Sequence, residues 1–182
     1  GTEASGTSNM KFAMTGSLII GTRDGANIEI AQEIGEENIF YFGKDVKEVE
    51  QIRNQQRSGN KPKIGNRLKN VFDFILSGKI GDCNFMRDYI SNLTNNFDFY
   101  LYTYDFYDYL EAQEKVDRTY INEKLWETKI FNSICRMGFF SSDRSIQNYA
   151  ENIWKIKPIE LPNPTKSDTK RVISLSNLRL NK

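Results

Sequence analysis

The order of apolar and polar residues predicts alternating strands and helices in the first third of the chain. Residues 17–22 (SLIIGT) and 38–42 (NIFYF) are short apolar runs, as in parallel strands that are covered on both faces. Residues 24–34 carry apolar positions at helical spacing and are followed by Gly35, and residues 45–53 show a second helical stripe. Two successive strand–helix steps predict a doubly wound, right-handed α/β arrangement.

The rest of the chain is predicted to be mainly helical. Residues 57–67 are basic and rich in turn residues, which predicts an exposed loop. Residues 97–110 are the densest aromatic segment; we expect a short strand at 99–102 and then a helix from Asp105, with the rings packed in the core rather than stacked on a sugar. The other predicted helices cover residues 68–76, 85–94, 110–120, 122–137 and 145–156.

Two of these helices carry apolar stripes that are typical of core packing. The stripe in the helix at 122–137 comprises Leu125, Trp126, Ile130, Ile134 and Met137, and that in the helix at 145–156 comprises Ile146, Tyr149, Ala150, Ile153 and Trp154. Three prolines from Pro158 onward break any further helix. We therefore divide the chain into residues 1–157 and an extended or mobile tail at 158–182.

The first seventeen residues contain the most informative stretch. Ser5 is a good helix N-cap, so we expect a helix at 6–15 whose first free N–H groups belong to Gly6, Thr7 and Ser8. Such a helix start attracts an anion such as a phosphate. Lys11 follows Thr7 by one turn on nearly the same face, so one molecule could contact both. From the residues alone an ordinary solvated lysine is the favoured interpretation, because lysine is mostly exposed.

Composition excludes several classes of site. The 25 basic and 24 acidic residues nearly balance, which gives no electrostatic argument for nucleic acid binding, and no apolar run is long enough to span a membrane. The absence of histidine removes Ser-His and Cys-His catalysis, and we expect no metal site.

Cys83 and Cys135 are predicted to be reduced, buried thiols. We see no signal peptide and expect a cytoplasmic protein.

Several blocks together resemble the glycogen, or α-glucan, phosphorylase family. The first block, residues 3–11 (EASGTSNMK), is highly specific and is similar to the cofactor-lysine segment of that family. The resemblance continues through residues 21–27 and 35–40. It returns at 114–116, 140–144, 149–150 and 153–154, in the right order across most of residues 1–157. Residues 44–100 match only in outline.

The resemblance implies a cofactor and a reaction. Enzymes of this family use inorganic phosphate to release glucose 1-phosphate from the end of an α-1,4-glucan such as glycogen, starch or maltodextrin. Pyridoxal 5'-phosphate is bound as a Schiff base to the lysine that corresponds to Lys11, and its phosphate group relays a proton. Thr7 and Ser8 correspond to contacts of the cofactor phosphate, although many members have glycine where Ser8 stands. Glu3, Ser5 and Gly6 correspond to contacts of the sugar hydroxyls.

The resemblance also implies that a large part of the enzyme lies outside this chain. Family members are far longer, and the chain matches the C-terminal part of a Rossmann-like domain in a two-domain glycosyltransferase (GT-B-type) fold. The N-terminal portion, with the basic residues that clamp the substrate phosphate, is not included, so we expect the isolated chain to be inactive. The full-length protein is expected to be a homodimer, and the fragment, with unpaired strands and a bare face around Ile153 and Trp154, to self-associate or to be partly disordered.

Two other function classes remain open at the level of sequence. A non-catalytic glucan-binding or regulatory module could have retained the phosphorylase tail. The chain could also belong to a different pyridoxal phosphate enzyme, although no aspartate is recognisably placed to pair with the pyridine nitrogen. Absorbance in the Schiff-base band, and its loss on replacing Lys11, separates cofactor binders from non-binders.

Overall fold

A computed structural model describes residues 6–95, 98–157 and 159, and the chain divides into two compact units between Ser141 and Ser142. The first unit contains two strands, β1 (Ile20–Thr22) and β2 (Phe40–Phe42). Its helices are α1 (Thr7–Met14), α2 (Gly25–Ile34), α3 (Val46–Arg57), α4 (Asn66–Leu76), α5 (Arg87–Thr94), α6 (Tyr102–Ile121) and α7 (Glu123–Arg136). Short 3-10 helices cover Glu36–Asn38, Asn84–Met86 and Met137–Phe140.

The predicted strand–helix alternation is confirmed. Strands β1 and β2 are parallel neighbours, with Ile20 opposite Phe40 and Thr22 opposite Phe42. Each strand is three residues long, shorter than the apolar run that predicted it. The result is a helix-rich α/β fold with a small parallel sheet.

The main core of the first unit lies between the sheet and helices α1 and α2, next to the end of α7. Its fully buried residues are Ala13, Ile19, Ile30, Ala31, Ile34, Ile39 and Met137. The helical spacing therefore correctly predicts which apolar residues of α2 face the core. Met10 packs against the same cluster, which directs one side of α1 to the core and leaves Lys11 on the exposed side.

The first helix begins one residue later than predicted. Gly6, rather than Ser5, takes the N-cap position, with a left-handed backbone at φ 62° and ψ 19°. A residue in this conformation cannot continue a right-handed helix, and glycine adopts it without a steric penalty. The first helical hydrogen bond runs from the Met10 N–H to the Gly6 carbonyl at 3.2 Å. The free N–H groups at the helix start thus belong to Thr7, Ser8 and Asn9, and Gly6 is not one of the three.

The predicted strand at 99–102 is wrong, and the predicted separate helices from Asp105 and at 110–120 are one helix, α6. The carboxylate of Asp98, which is fully buried, accepts hydrogen bonds from the N–H groups of Tyr102 and Thr103 and from the Thr103 hydroxyl at 2.6–2.9 Å. Leu101 stands just before the helix with φ 60°. The chain therefore turns sharply at a side-chain cap and enters the helix early.

The expected packing of the aromatic segment is also largely wrong. Phe99, Tyr100, Tyr102, Tyr107 and Tyr109 are all at least 40 % exposed. Besides Asp98, the buried residues between positions 98 and 112 are Leu101, Thr103 and Ala112. On α6 the buried positions are therefore held by the small residues Thr103 and Ala112, and the large rings at its exposed positions do not join the core.

The predicted helix at 122–137 is confirmed as α7, but its apolar stripe does not form a buried face. Its N-cap is Asn122, whose side-chain oxygen accepts from the Leu125 N–H at 3.1 Å. Leu125 and Ile134 are more than 40 % exposed, and of the predicted stripe Met137 alone is fully buried.

The predicted burial of the thiols is wrong as well, since Cys83 is half-buried and Cys135 is exposed. Cys135 lies two positions from both buried Ser133 and buried Met137, on the opposite side of the helix.

The second unit is described over residues 142–157 and at Ile159. It contains α8 (Ser142–Asn148) and a π-helical segment at Tyr149–Trp154, where one regular helix at 145–156 was predicted. Ile153 and Trp154 are 66 % and 51 % exposed. Ile146 and Tyr149 are also more than 40 % exposed, so of the predicted buried side Ala150 alone is buried. The exposure of Ile153 and Trp154 agrees with the expected bare face. The predicted tail at 158–182 lies outside the described residues except for Ile159.

Candidate functional site

Two helix starts meet at the carboxyl edge of the parallel sheet. Asp24 is the N-cap of α2 and lies two residues after the last residue of β1, so α2 begins close to the end of the strand. Gly6, at the start of α1, lies against Ala26 in the first turn of α2. In open α/β sheets ligands bind beyond the carboxyl ends of the strands. The positive ends of two helix dipoles converge at this edge, which favours an anion there.

Asn27 joins the elements that form this edge. Its side-chain N–H donates to the Thr22 carbonyl at 2.9 Å, and its side-chain oxygen accepts from the Asn9 amide at 2.7 Å. The Tyr41 hydroxyl donates to the Asn27 carbonyl at 3.0 Å. Burial raises the pKa of Tyr41, so the hydroxyl keeps its proton as a donor. Asn27 is 6 % exposed, and these bonds fix the start of α1 relative to both strands.

Two glycines allow the close approach that this arrangement needs. A Cβ atom on Gly6 would lie 2.4 Å from the Ala26 Cβ, and one on Gly21 would lie 2.6 Å from the Asn27 side-chain nitrogen. Both distances are far inside van der Waals contact. Gly6 therefore serves the close packing of two helix starts as well as the left-handed backbone.

The structure brings together some of the predicted site residues. Thr7 and Ser8 occupy the first two positions of α1 and are exposed, and Lys11 is exposed one turn further along the same helix. Gly6 is buried at the N-cap. Glu3 and Ser5 lie outside the described residues. Sequence reasoning missed Asn9 and Asn27, although both fall within the family-like blocks, because nothing in the pattern indicates that the two side chains meet.

This arrangement can hold an anion beside a primary amine. The backbone N–H groups of Thr7, Ser8 and Asn9 at the start of α1 lack helical acceptors, and Thr7 and Ser8 are exposed. The Cα atom of Lys11 lies about 6 Å along the helix axis from that of Thr7, at 1.5 Å rise per residue. Among the described residues, no group of three or more cysteine, aspartate and glutamate side chains is placed to hold a metal ion.

A second cluster of charged groups connects the end of β2 to helix α6. Asp105 accepts a hydrogen bond from the Lys44 N–H at 3.1 Å, and the Lys44 amine pairs with Asp108 at 2.7 Å. The hydrogen bond that the Lys44 amine donates to Asp108 raises the pKa of Lys44. Burial, reinforced by the charge of Asp108, raises the pKa of Asp105 to about 6, against the lowering effects of the Lys44 N–H and charge.

Replacing Asp105 with asparagine should change how stability depends on pH. The unfolded pKa is 3.8 and the folded pKa is about 6, so between these values the folded protein binds more protons. The neutral Asp105 carboxyl group therefore stabilises the folded protein fully below pH 3.8, and this stabilisation is lost as the pH rises through 6. This pKa shift corresponds to a change of at most about 3 kcal/mol in the free energy of unfolding. Because Asp105 is partly exposed, the expected loss of unfolding free energy is about 1–2 kcal/mol.

Urea unfolding of the wild type and of Asp105→Asn between pH 4 and 7.5 measures this difference. The variant keeps an oxygen acceptor for the Lys44 N–H and should gain about 1–2 kcal/mol over the wild type at pH 7.5. Asp73→Asn, at an exposed carboxylate paired with Lys69, is the control and should follow the wild-type profile. Parallel pH profiles for the wild type and Asp105→Asn would contradict the assignment.

Comparisons with known proteins place these features in context. A family model described as carbohydrate phosphorylase matches residues 1–156. The glycogen phosphorylase of Haemophilus influenzae is 45 % identical over 88 % of this chain, and that of Saccharomyces cerevisiae is 42 % identical over 87 %. The α-1,4 glucan phosphorylase L-1 isozyme of Solanum tuberosum, a chloroplastic/amyloplastic protein, is 44 % identical over 88 %. The aligned part covers 20 %, 18 % and 17 % of these relatives, respectively.

No helix in the described part of the chain has both the length and the apolar character that a membrane span requires.

Proposed function

The chain belongs to the carbohydrate phosphorylase family, and on that premise we propose that it is the cofactor-lysine segment of an α-1,4-glucan phosphorylase. The observation that carries the proposal is the position of Lys11, which lies one turn beyond an exposed helix start at the carboxyl edge of the sheet. The complete protein would release glucose 1-phosphate from glycogen, starch or maltodextrin with inorganic phosphate. The homodimer and the cytoplasmic location belong to the same proposal.

Pyridoxal 5'-phosphate fits the residues at this edge. The N–H groups of Thr7 and Ser8 would bind its phosphate, helped by the dipoles of α1 and α2. The Lys11 amine would hold its aldehyde carbon. Ser8 lies within the helix, where serine adopts the backbone as readily as most residues, so its presence in place of glycine leaves the N–H contact intact. When bound, the cofactor supplies a phosphate group that exchanges a proton with the substrate phosphate.

The chain's own residues have positioning roles in this proposal. Gly6 lets the start of α1 approach α2, and the Asn9–Asn27 hydrogen bond holds the first turn of α1 in register with β1. A fixed helix start keeps its N–H groups aimed at one point, which is how a preorganised site binds and orients an anion. We also propose Glu3, Ser5 and Gly6 as contacts of the sugar hydroxyls, by analogy with the family.

Upstream polypeptide is needed to complete the site. The chain spans about a fifth of the length of the relatives it matches. Phe12, Met14 and Phe131 are 55–68 % exposed on α1 and α7, and such apolar surface favours further packing. We propose that the N-terminal portion covers this surface and supplies the basic groups for the substrate phosphate, within a GT-B-type fold. Since phosphoryl chemistry depends on positioning and charge, the isolated chain would be inactive.

Two measurements on the complete protein and on the 182-residue chain test the proposal. The first is release of glucose 1-phosphate from glycogen and phosphate. The second is the mass of the peptide that contains Lys11 after borohydride reduction. We expect turnover and a cofactor adduct in the complete protein, and no turnover by the chain alone.

Each other outcome has a defined meaning. A complete protein with neither adduct nor turnover would overturn the proposal; if that protein nevertheless bound glucan, it would be a non-catalytic module. Turnover by the isolated chain would show that the upstream portion is not needed for the chemistry.

A further inference from the structure

The first unit contains a cavity that reaches Thr22 and Asp24 at the carboxyl edge of the sheet, but whose lining does not include Thr7, Ser8 or Lys11. It has a volume of about 940 Å³ and lies among α3, α4, α6 and the turn before α6. Buried leucines form part of its wall, namely Leu68, Leu93 and Leu101, at 3–7 % exposure. Val49 and Phe72 add further apolar surface. Mostly apolar pockets of roughly 300–1,000 Å³ are typical of sites for small organic molecules.

Arg53 places a positive charge in this apolar wall. Its Nε atom is buried and has no hydrogen-bond partner within the described part of the chain. The guanidinium carbon lies 5.2 Å from the centre of the Phe99 ring, which fixes the position of the side chain. A buried donor without an acceptor is costly, so the site favours a ligand that supplies an oxygen.

The other cationic groups at the cavity already have partners. Lys44 pairs with Asp108 at 2.7 Å, and Arg57 donates to the Asn54 side-chain oxygen at 3.2 Å. Two carboxylates, Glu50 and Asp105, also line the cavity. Among the described residues neither forms an ion pair with Arg53, and Asp105 instead accepts from the Lys44 N–H. Arg53 is therefore the cation at the cavity that has a buried donor atom without an acceptor in the described part of the chain.

We propose that this cavity binds a small amphipathic carboxylate, with the carboxylate on Arg53 and an apolar chain or ring against the leucines. Arginine binds a carboxylate through two parallel N–H···O bonds, which are stronger than bonds between neutral groups. The apolar body of the ligand would contribute through burial against Leu68, Leu93 and Leu101. None of the residues proposed to hold the cofactor, Thr7, Ser8 and Lys11, lines the cavity, so this site goes beyond the proposed phosphorylase chemistry.

Calorimetric titration of the wild-type chain with decanoate and decanol tests the charge requirement without any substitution. Both probes have the same ten-carbon chain, and only decanoate carries a carboxylate. We expect saturable binding of one decanoate per chain, at least about tenfold tighter than decanol, since a charge-assisted hydrogen bond is worth more than about 1.4 kcal/mol. Equal affinities, or decanoate binding that does not saturate, would overturn the proposal.

Substitutions then locate the site. Arg53→Gln should weaken decanoate binding about tenfold and leave decanol unchanged, whereas Arg53→Lys, which keeps the charge, should lose less. Val49→Phe, which adds volume inside the cavity, should weaken both probes. Arg118→Gln, at an exposed arginine paired with Glu114 on α6, is the matched control and should bind like the wild type. Wild-type affinity in both Arg53→Gln and Val49→Phe would refute the assignment, and if either fails to fold the decanoate–decanol comparison still decides.

Discussion

Replacing Lys11 with alanine in the complete protein is expected to abolish the borohydride-trapped cofactor adduct and to lower glucan phosphorolysis by about 10³-fold or more. The reason is chemical rather than structural. Lys11 is exposed on α1, and alanine is a good helix former, so the fold should change in stability by less than about 0.5 kcal/mol. The variant therefore removes the anchoring amine and leaves the helix start in place.

Two further variants separate covalent attachment from simple charge. Lys11→Arg keeps a positive charge, but a guanidinium that stays protonated cannot attack an aldehyde, so this variant should fail like alanine. Lys47→Ala removes an exposed lysine from α3 and should behave like the wild type. The measurements are the mass of the reduced peptide and the rate of glucose 1-phosphate release. An adduct that persists in Lys11→Ala would place the cofactor on another amine.

The parts of the fold that follow from local pattern are predictable from the sequence. Both strands and α2 were correctly expected because short apolar runs and helical spacing reflect burial against the sheet. Helix α6 was misjudged because its start depends on Asp98, four residues before the helix, and on a left-handed Leu101. The aromatic content of that segment favours a strand in isolation, and a buried cap outweighs that preference.

The helix that carries the candidate site residues was predictable from the sequence, but the contacts that position this helix were not. The family-like block identified Thr7, Ser8 and Lys11, and their spacing on one helix agrees with the structure. The hydrogen bond between Asn9 and Asn27 joins residues eighteen positions apart, and no periodicity signals such a contact. The exposed side chains on α7 show a related limit, because apolar spacing alone does not specify which element covers a helix face.

Gly6→Ala is expected to lower the free energy of unfolding by about 3 kcal/mol. About 1–2 kcal/mol comes from forcing a left-handed backbone at φ 62° on a residue with a Cβ. A further 1–3 kcal/mol, in round terms, comes from overlap with the Ala26 Cβ, which would lie 2.4 Å away. Urea unfolding followed by circular dichroism measures the sum. In the complete protein the displaced helix start should also weaken retention of the cofactor.

A matched glycine and a double substitution separate the two contributions. Gly25 has a similar backbone at φ 48°, but nothing lies within 4 Å of a Cβ built there, so Gly25→Ala should show only the backbone part. Ala26→Gly removes the atom that Gly6→Ala would strike. The pair Gly6→Ala and Ala26→Gly should therefore be more stable than the sum of the single effects by about 1–3 kcal/mol. Strict additivity would mean that α1 and α2 do not touch at this point, and the convergence of the two helix starts would then be wrong.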